Sequence, residues 1–346
     1  MKSMLRTLLV LTSALTLAAC AELWAGSIAK NVASGLGSIK SYRGTTIETG
    51  LAEAPAGVAI PIEKSVLYAK GGLLRVETTT AGAHQGELFI YDGEAITLWS
   101  PQTMVGVRIH GVHAPSATEI MHHVERLTRA SLDAYTFALE DEGARVAGQR
   151  ALQWRVRPAR RAPFRFEHRV WNQDPTTLPL KMEFTRDGKA LWYSFAYSEL
   201  AFDPPIAADA FAFTFPRKGV VFEWNLDGPG LSLDEAREEM NFKVEVPAKL
   251  PAGHAIQKIV RSPHCLPMIV IAMDHDGTMM SLVESRAGFA GETRPLGLAV
   301  SVGNQPATMA FVGPFTTITW IKDGTQLTLT SNLDFPSLLA VADSVQ

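Results

Sequence analysis

From Ser41 to His110 the chain alternates short apolar-rich runs with Gly- or Pro-bearing breaks, the signature of antiparallel strands joined by tight turns. The runs are Ser41–Thr49, Lys64–Lys70, Leu73–Thr79, Glu87–Tyr91, Ala95–Trp99 and Met104–Ile109, and Asp92-Gly93 is a hairpin signal. Strands resume at Ala134–Glu140, Arg145–Arg157, Phe164–Trp171, Leu180–Thr185 and Ala190–Tyr197. The sharpest alternation is Phe164-Arg165-Phe166-Glu167-His168-Arg169-Val170. It puts Phe164, Phe166, His168 and Val170 on one side of a strand and the charged residues on the other. Met182 and Phe184 alternate with Lys181 and Glu183 in the same way.

Helical periodicity interrupts this meander in two places. Ile28, Val32 and Leu36 recur at helical spacing in a first helix over Ser27–Ile39. Ser116-Ala117-Thr118-Glu119 is a capping box, followed by Ile120, Met121, Val124 and Leu127 on one helix face. Gly228-Pro229-Gly230 then breaks the pattern, and a second capping box, Ser232-Leu233-Asp234-Glu235, opens a new unit. Strands are predicted there near Ala255–Arg261, Met268–Met273, Thr278–Val283, Ala307–Val312, Thr316–Ile321 and Gln326–Ser331, with a closing helix over Pro336–Ala342. The fold class read from this order is α+β: a long antiparallel sheet with two helices, then a small α+β unit, with no βαβ alternation. The domain reading is 1–20 as an export signal, 27–222 as the first domain, 223–231 as a linker and 232–346 as the second domain.

The amino terminus carries an address. Lys2 and Arg6 precede an apolar run over Leu8–Ala19 that is shorter than the roughly 20 residues of a membrane-spanning helix and suits a secretory signal. Leu17-Ala18-Ala19-Cys20 resembles the bacterial lipobox, which implies cleavage before Cys20 and a diacylglycerol, and further acyl chains such as palmitate, on that residue. The other reading is ordinary cleavage after Ala21. Two or three acyl chains hold a protein on a bilayer far better than one, since each buried methylene contributes about 0.8 kcal/mol. The few residues between Cys20 and the first helix reach about 20 Å at most, which would keep the folded body near the membrane. Ala21, in resemblance to sorted Gram-negative lipoproteins, points to the periplasmic face of the outer membrane.

The stretch Val170-Trp171, Leu178-Pro179-Leu180-Lys181, Asp187-Gly188, Phe195, Pro204-Pro205-Ile206, Phe211-Ala212-Phe213, Pro216 and Gly219-Val220 resembles the second half of the LolA-like lipoprotein-sorting fold. That superfamily also holds LolB and the amino-terminal domain of the sigma-E regulator RseB (MucB). Ile39-Lys40-Ser41-Tyr42-Arg43-Gly44 resembles its first helix-to-strand junction. The resemblance implies an unclosed antiparallel β-barrel with a helical lid and an apolar cavity for acyl chains. Val246-Pro247, Leu250-Pro251-Ala252-Gly253 and Trp320-Ile321-Lys322-Asp323-Gly324 are similar to a domain found beside envelope-stress and anti-sigma regulators, so the two-domain arrangement parallels RseB.

A non-enzymatic cell-envelope lipoprotein follows as the functional expectation. It would bind lipid acyl chains or lipoproteins and act in stress sensing, through an anti-sigma or other envelope partner, or in lipoprotein sorting. Candidate cavity residues are Trp99, Met121, Val124, Phe164, Phe166, Trp171, Phe184, Trp192 and Phe195. The same side chains would equally fill a packed core, and the alternative is a structural or assembly lipoprotein that docks a protein without a ligand cavity. The segment 145–169 is rich in arginine with Glu167 its one acid, so Arg155, Arg157, Arg165 and Arg169 could meet anionic headgroups or an acidic partner, or form a solvated sheet face.

Composition narrows the rest. The 346 residues carry 32 basic and 35 acidic side chains, a net charge of −3, against the basic excess of a nucleic-acid-binding chain. The 2 cysteines exclude a disulfide scaffold and a four-thiolate zinc site. Adjacent His122 and His123 diverge by about 100° on a helix and cannot easily share a metal. Asp274-His275-Asp276 reads as a turn more readily than as a ligand set with His264 and Cys265. Nucleophile-elbow, zinc-helix, P-loop and dinucleotide motifs are absent, so no catalytic residue, metal or cofactor is assigned.

Overall fold

The computed structural model describes residues 34–35, 37–50, 61–82, 84–112, 135–159, 166–186, 190–261, 268–273, 275, 278–287, 298–312, 315–333 and 335–346. The export signal with Cys20, the 116–127 helix with Met121 and Val124, Phe164 and Arg165 lie outside the described residues.

Twelve strands form one sheet: β1 (Ser41–Gly50), β2 (Ile62–Ala69), β3 (Leu73–Thr78), β4 (Leu88–Tyr91), β5 (Ala95–Ser100), β6 (Val105–His110), β7 (Tyr135–Val146), β8 (Gln149–Pro158), β9 (Phe166–Gln173), β10 (Pro179–Arg186), β11 (Ala190–Phe202) and β12 (Val220–Asn225). Their order is β12-β6-β5-β4-β3-β2-β1-β11-β10-β9-β8-β7. Among the described residues no pairing joins β12 to β7, so the sheet is unclosed. It nevertheless curls. The Gln149 side-chain Nε2 at the start of β8 donates to the Leu200 carbonyl of β11 at 3.4 Å, although β9 and β10 lie between them. Strands about 4.8 Å apart in a flat sheet would forbid that reach.

Two features depart from the hydropathy reading. The acids Asp141 and Glu142 form no loop. β7 runs through them with register shifts at Leu139/Asp141 and Asp141/Ala144, and the turn lies at Ala147-Gly148. Both turn residues have positive φ, 50° and 75°, the geometry that matches the twist of a two-residue hairpin. The meander also ends in a strand that hydropathy does not mark: β12 pairs parallel to β6, because residues 203–219 carry the chain back across the sheet before it extends again.

The second sheet has seven strands: β13 (Lys258–Arg261), β14 (Met268–Ala272), β15 (Met280–Arg286), β16 (Leu298–Val302), β17 (Gln305–Val312), β18 (Phe315–Lys322) and β19 (Thr325–Ser331), in the order β13-β14-β15-β19-β18-β17-β16. Two helices accompany it, α1 (Leu233–Glu239) and α2 (Phe335–Asp343). The capping box at α1 is formed. The Ser232 hydroxyl accepts from the Glu235 N–H at 3.2 Å, and the Glu235 carboxylate accepts from the Ser232 N–H at 2.7 Å. β19 alternates strictly, burying Thr325, Leu327, Leu329 and Ser331. Leu327 and Leu329 join Leu282, Ile318, Trp320 and Leu338 in the largest buried cluster. Full burial of each such side chain stabilises the fold by roughly 1.5–3 kcal/mol.

Candidate functional site

Register across β7–β11 explains the two faces of this end of the sheet. Phe137 pairs with Val156, Val156 with His168, His168 with Phe184, and Phe184 with Tyr193, so one row of side chains crosses five strands on one face. The rings are in contact along it. Tyr135 meets His168 edge-on at 5.6 Å, His168 stacks on Phe184 at 5.1 Å, and Phe184 meets Tyr193 at 6.0 Å. At the β7 end the row reaches water, with Phe137 41% and Leu139 39% exposed. At the β11 end Tyr193 is buried in the same cluster as the core of the second sheet, with Phe184 and Phe195 packed against it. Burial pushes the Tyr193 hydroxyl well above the usual phenol range, with the Glu48 charge adding to it.

The opposite face is charged and internally paired. Arg155, Arg157 and Arg169 converge on two carboxylates. Glu140 takes Arg155 and, at 3.0 Å, Arg169. Glu167 takes Arg157 at 3.1 Å and Arg155 at 3.4 Å. Partial burial would raise the Glu140 pKa, but hydrogen bonds from Arg169 and Gln153 and the nearby Arg155 charge hold it below the ordinary carboxylate value. Lys181 sits 4.4 Å over the Trp171 ring and 2.7 Å from Glu183. Composition of the 145–169 segment concealed Glu140, because the acid arrives from β7 through strand pairing.

The candidate cavity residues fall into separate clusters. Phe184 and Phe195 share the aromatic face. Trp171 lies with Val146, Ala151, Leu178, Leu180, Tyr197 and Leu200, and Phe195 packs against that cluster too. Trp99 belongs to a third, with Leu67, Leu88, Ile90 and Phe211. Its ring lies 6.2 Å from Phe213 and 5.9 Å from Phe215, both from the segment that crosses back over the sheet. Phe166 and Trp192 are placed on β9 and β11 by their backbone.

A tyrosine group that periodicity did not single out sits beside Phe195. Tyr42 stacks on Tyr68 at 5.1 Å and meets Tyr197 edge-on at 6.2 Å, and Phe195 meets Tyr197 at 5.5 Å. Burial raises the pKa of both Tyr42 and Tyr197. Only β1–β2 and β1–β11 pairing brings these residues together, and no local signal announces it. Among the described residues no helix is long and apolar enough to cross a membrane.

Residues 89–214, spanning β4 to β11, match the model of the MucB/RseB N-terminal domain. No curated protein sequence matches the chain. A crystal structure of MucB is 17% identical over 92% of this chain and 97% of that one, with a TM-score of 0.48. The Pseudomonas aeruginosa MucA/MucB complex is 17% identical over 93% of this chain and 98% of that one, with a TM-score of 0.42. A LolA superfamily protein from Nitrosomonas europaea is 12% identical over 54% of this chain and 97% of that one, with a TM-score of 0.26.

Proposed function

We propose that this chain is a non-enzymatic binding protein of the bacterial cell envelope. Its first domain takes an acyl chain or lipoprotein anchor, and it signals to an anti-sigma partner or serves lipoprotein sorting. The observation that carries the reading is the MucB/RseB match over 89–214, the same strands that present the aromatic row. We place the domain division near Gly228-Pro229-Gly230 and the lipid anchor at Cys20, facing the periplasm from the outer membrane. Apolar burial at about 25 cal/mol per Å² is sufficient driving force for an acyl ligand, with no catalytic group required. MucB has been solved bound to MucA, and a partner of that kind is the one we propose here.

The test is lipid extraction and mass spectrometry of the purified protein lacking residues 1–20, together with uptake of a fluorescent acyl probe. Co-purified lipid and probe uptake that Phe184→Glu abolishes support the reading; neither lipid nor uptake overturns it.

One observation favours a second reading, a docking or assembly protein without a ligand cavity. Tyr193, Phe184 and Phe195 are engaged with the core of the second sheet, so the aromatic face there is occupied by the chain itself. On that reading Phe184→Glu lowers stability by several kcal/mol and there is no uptake to lose.

A further inference from the structure

The core face of the second sheet ends in a polar cluster that the proposed binding role does not use. On β15, Met280, Leu282 and Glu284 share one face, and all three are buried. Glu284 has 0% of its surface exposed, and so has Glu245, which the 243–248 segment lays against it. The Glu245 N–H donates to Glu284 Oε2 at 3.0 Å. Lys322 of β18 lies 3.2 Å from Glu245 Oε2, and its Nζ also donates to the Val345 carbonyl at 2.9 Å. Lys243 reaches Glu245 Oε1 at 2.9 Å from a side chain that is 60% exposed. Thr325 of β19 donates to the Lys243 carbonyl at 3.4 Å. The docked segments then pair with each other: Val246 and Gln346 exchange backbone hydrogen bonds at 3.2 and 3.1 Å, and Ala248 donates to Ser344 at 2.9 Å.

We propose that Glu284 is a proton-operated latch, which when protonated lets the 244–248 and 344–346 segments dock on the second sheet and when ionised loosens them. The groups facing it are Glu245 and Lys243 from the docked segment and Lys322 from β18. Asp323 and Arg237 act on Lys243. With Glu284 neutral, the one buried carboxylate charge is Glu245, and the part-exposed ammoniums of Lys322 and Lys243 both pair with it. With Glu284 ionised, two buried carboxylates stand side by side, and among the described residues both lysines pair with Glu245 and no cation pairs with Glu284 itself. Glu284 Oε1 is buried with no hydrogen-bond partner among the described residues, an arrangement a neutral carboxyl tolerates better than a carboxylate. Burial raises the Glu284 pKa to about 8; the Glu245 charge adds to this, and the Glu245 N–H and Lys322 oppose it.

Amide hydrogen exchange on the full chain tests the latch, from about pH 6 to about pH 9, with rates corrected for intrinsic base catalysis. The protection of Glu245, Val246, Ala248 and Gln346 is expected to fall about tenfold or more across that range, and to stay constant in Glu284→Gln, which mimics the neutral carboxyl. Protection that is flat with pH in the parent protein, or that falls equally in the Gln variant, overturns the proposal. Should Glu284→Gln fold poorly, carbon NMR titration of the Glu284 carboxyl in the parent protein decides. A midpoint above about 6.5 supports the latch and a lower one sinks it.

Discussion

Phe215 lies directly over Gly106: a methyl group on Gly106 would stand 2.2 Å from Cε1 of the Phe215 ring. The contact anchors the segment that crosses back over the sheet, since the same ring packs on Trp99 and on Phe213, at 5.9 and 5.3 Å. Gly106→Ala is therefore expected to displace Phe215 and destabilise the protein by about 1–3 kcal/mol, the usual cost of overpacking. Urea unfolding measures it, and the loss should shrink in Gly106→Ala/Phe215→Leu, where the ring that clashes is gone.

Glu140 is the acid on which Arg155 and Arg169 converge. Glu140→Gln should change stability by only about 1 kcal/mol or less, because the pairs are partly exposed and screened. It should strengthen binding to anionic vesicles, and salt at about 0.5 M should cancel the gain. Vesicle co-sedimentation reads this directly. Unchanged binding would mean that the arginine face does not meet lipid headgroups.

Stability should depend on pH through Glu284. Burial pushes its carboxyl up to about 8 in the folded protein, against 4.5 ordinarily. Between those values the folded chain holds a proton the unfolded chain has lost, so stability falls as pH rises through the window and levels off above it. The drop is on the order of 3–5 kcal/mol if Glu284 titrates alone. Glu284→Gln should flatten that slope, and denaturant melts at several pH values compare the two proteins.

Ser232→Ala removes the hydroxyl that caps α1 and leaves the Glu235 N–H without its acceptor. A loss of about 1 kcal/mol is expected, and Ser232→Asp should restore most of it. Thermal unfolding of the three proteins checks the order.

Much of the architecture was legible because it is local. The β9 strand, the Asp92-Gly93 hairpin and the Ser232 capping box each depend on a few neighbouring residues, and each forms where the local sequence places it. Asp141-Glu142-Gly143 has the chemistry of a loop, whereas register shifts absorb these residues into β7 and Ala147-Gly148 supplies the reversal. Strands β12 and β16 carry no clear local signal, and the parallel pairing of β12 is a long-range event that no local preference encodes.

Residue order alone settled where most strands of the described residues run and that Ser232 caps a helix, since these follow from backbone propensity and side-chain period within short windows. Folding settled the partners. Glu140 meets the arginines, Tyr42 meets Tyr197, and Glu245 is buried beside Glu284 through contacts between segments 15 or more residues apart in the chain. Sequence-local chemistry cannot specify such encounters, because the desolvation and pairing that give them their energy exist only once the sheets have closed around them.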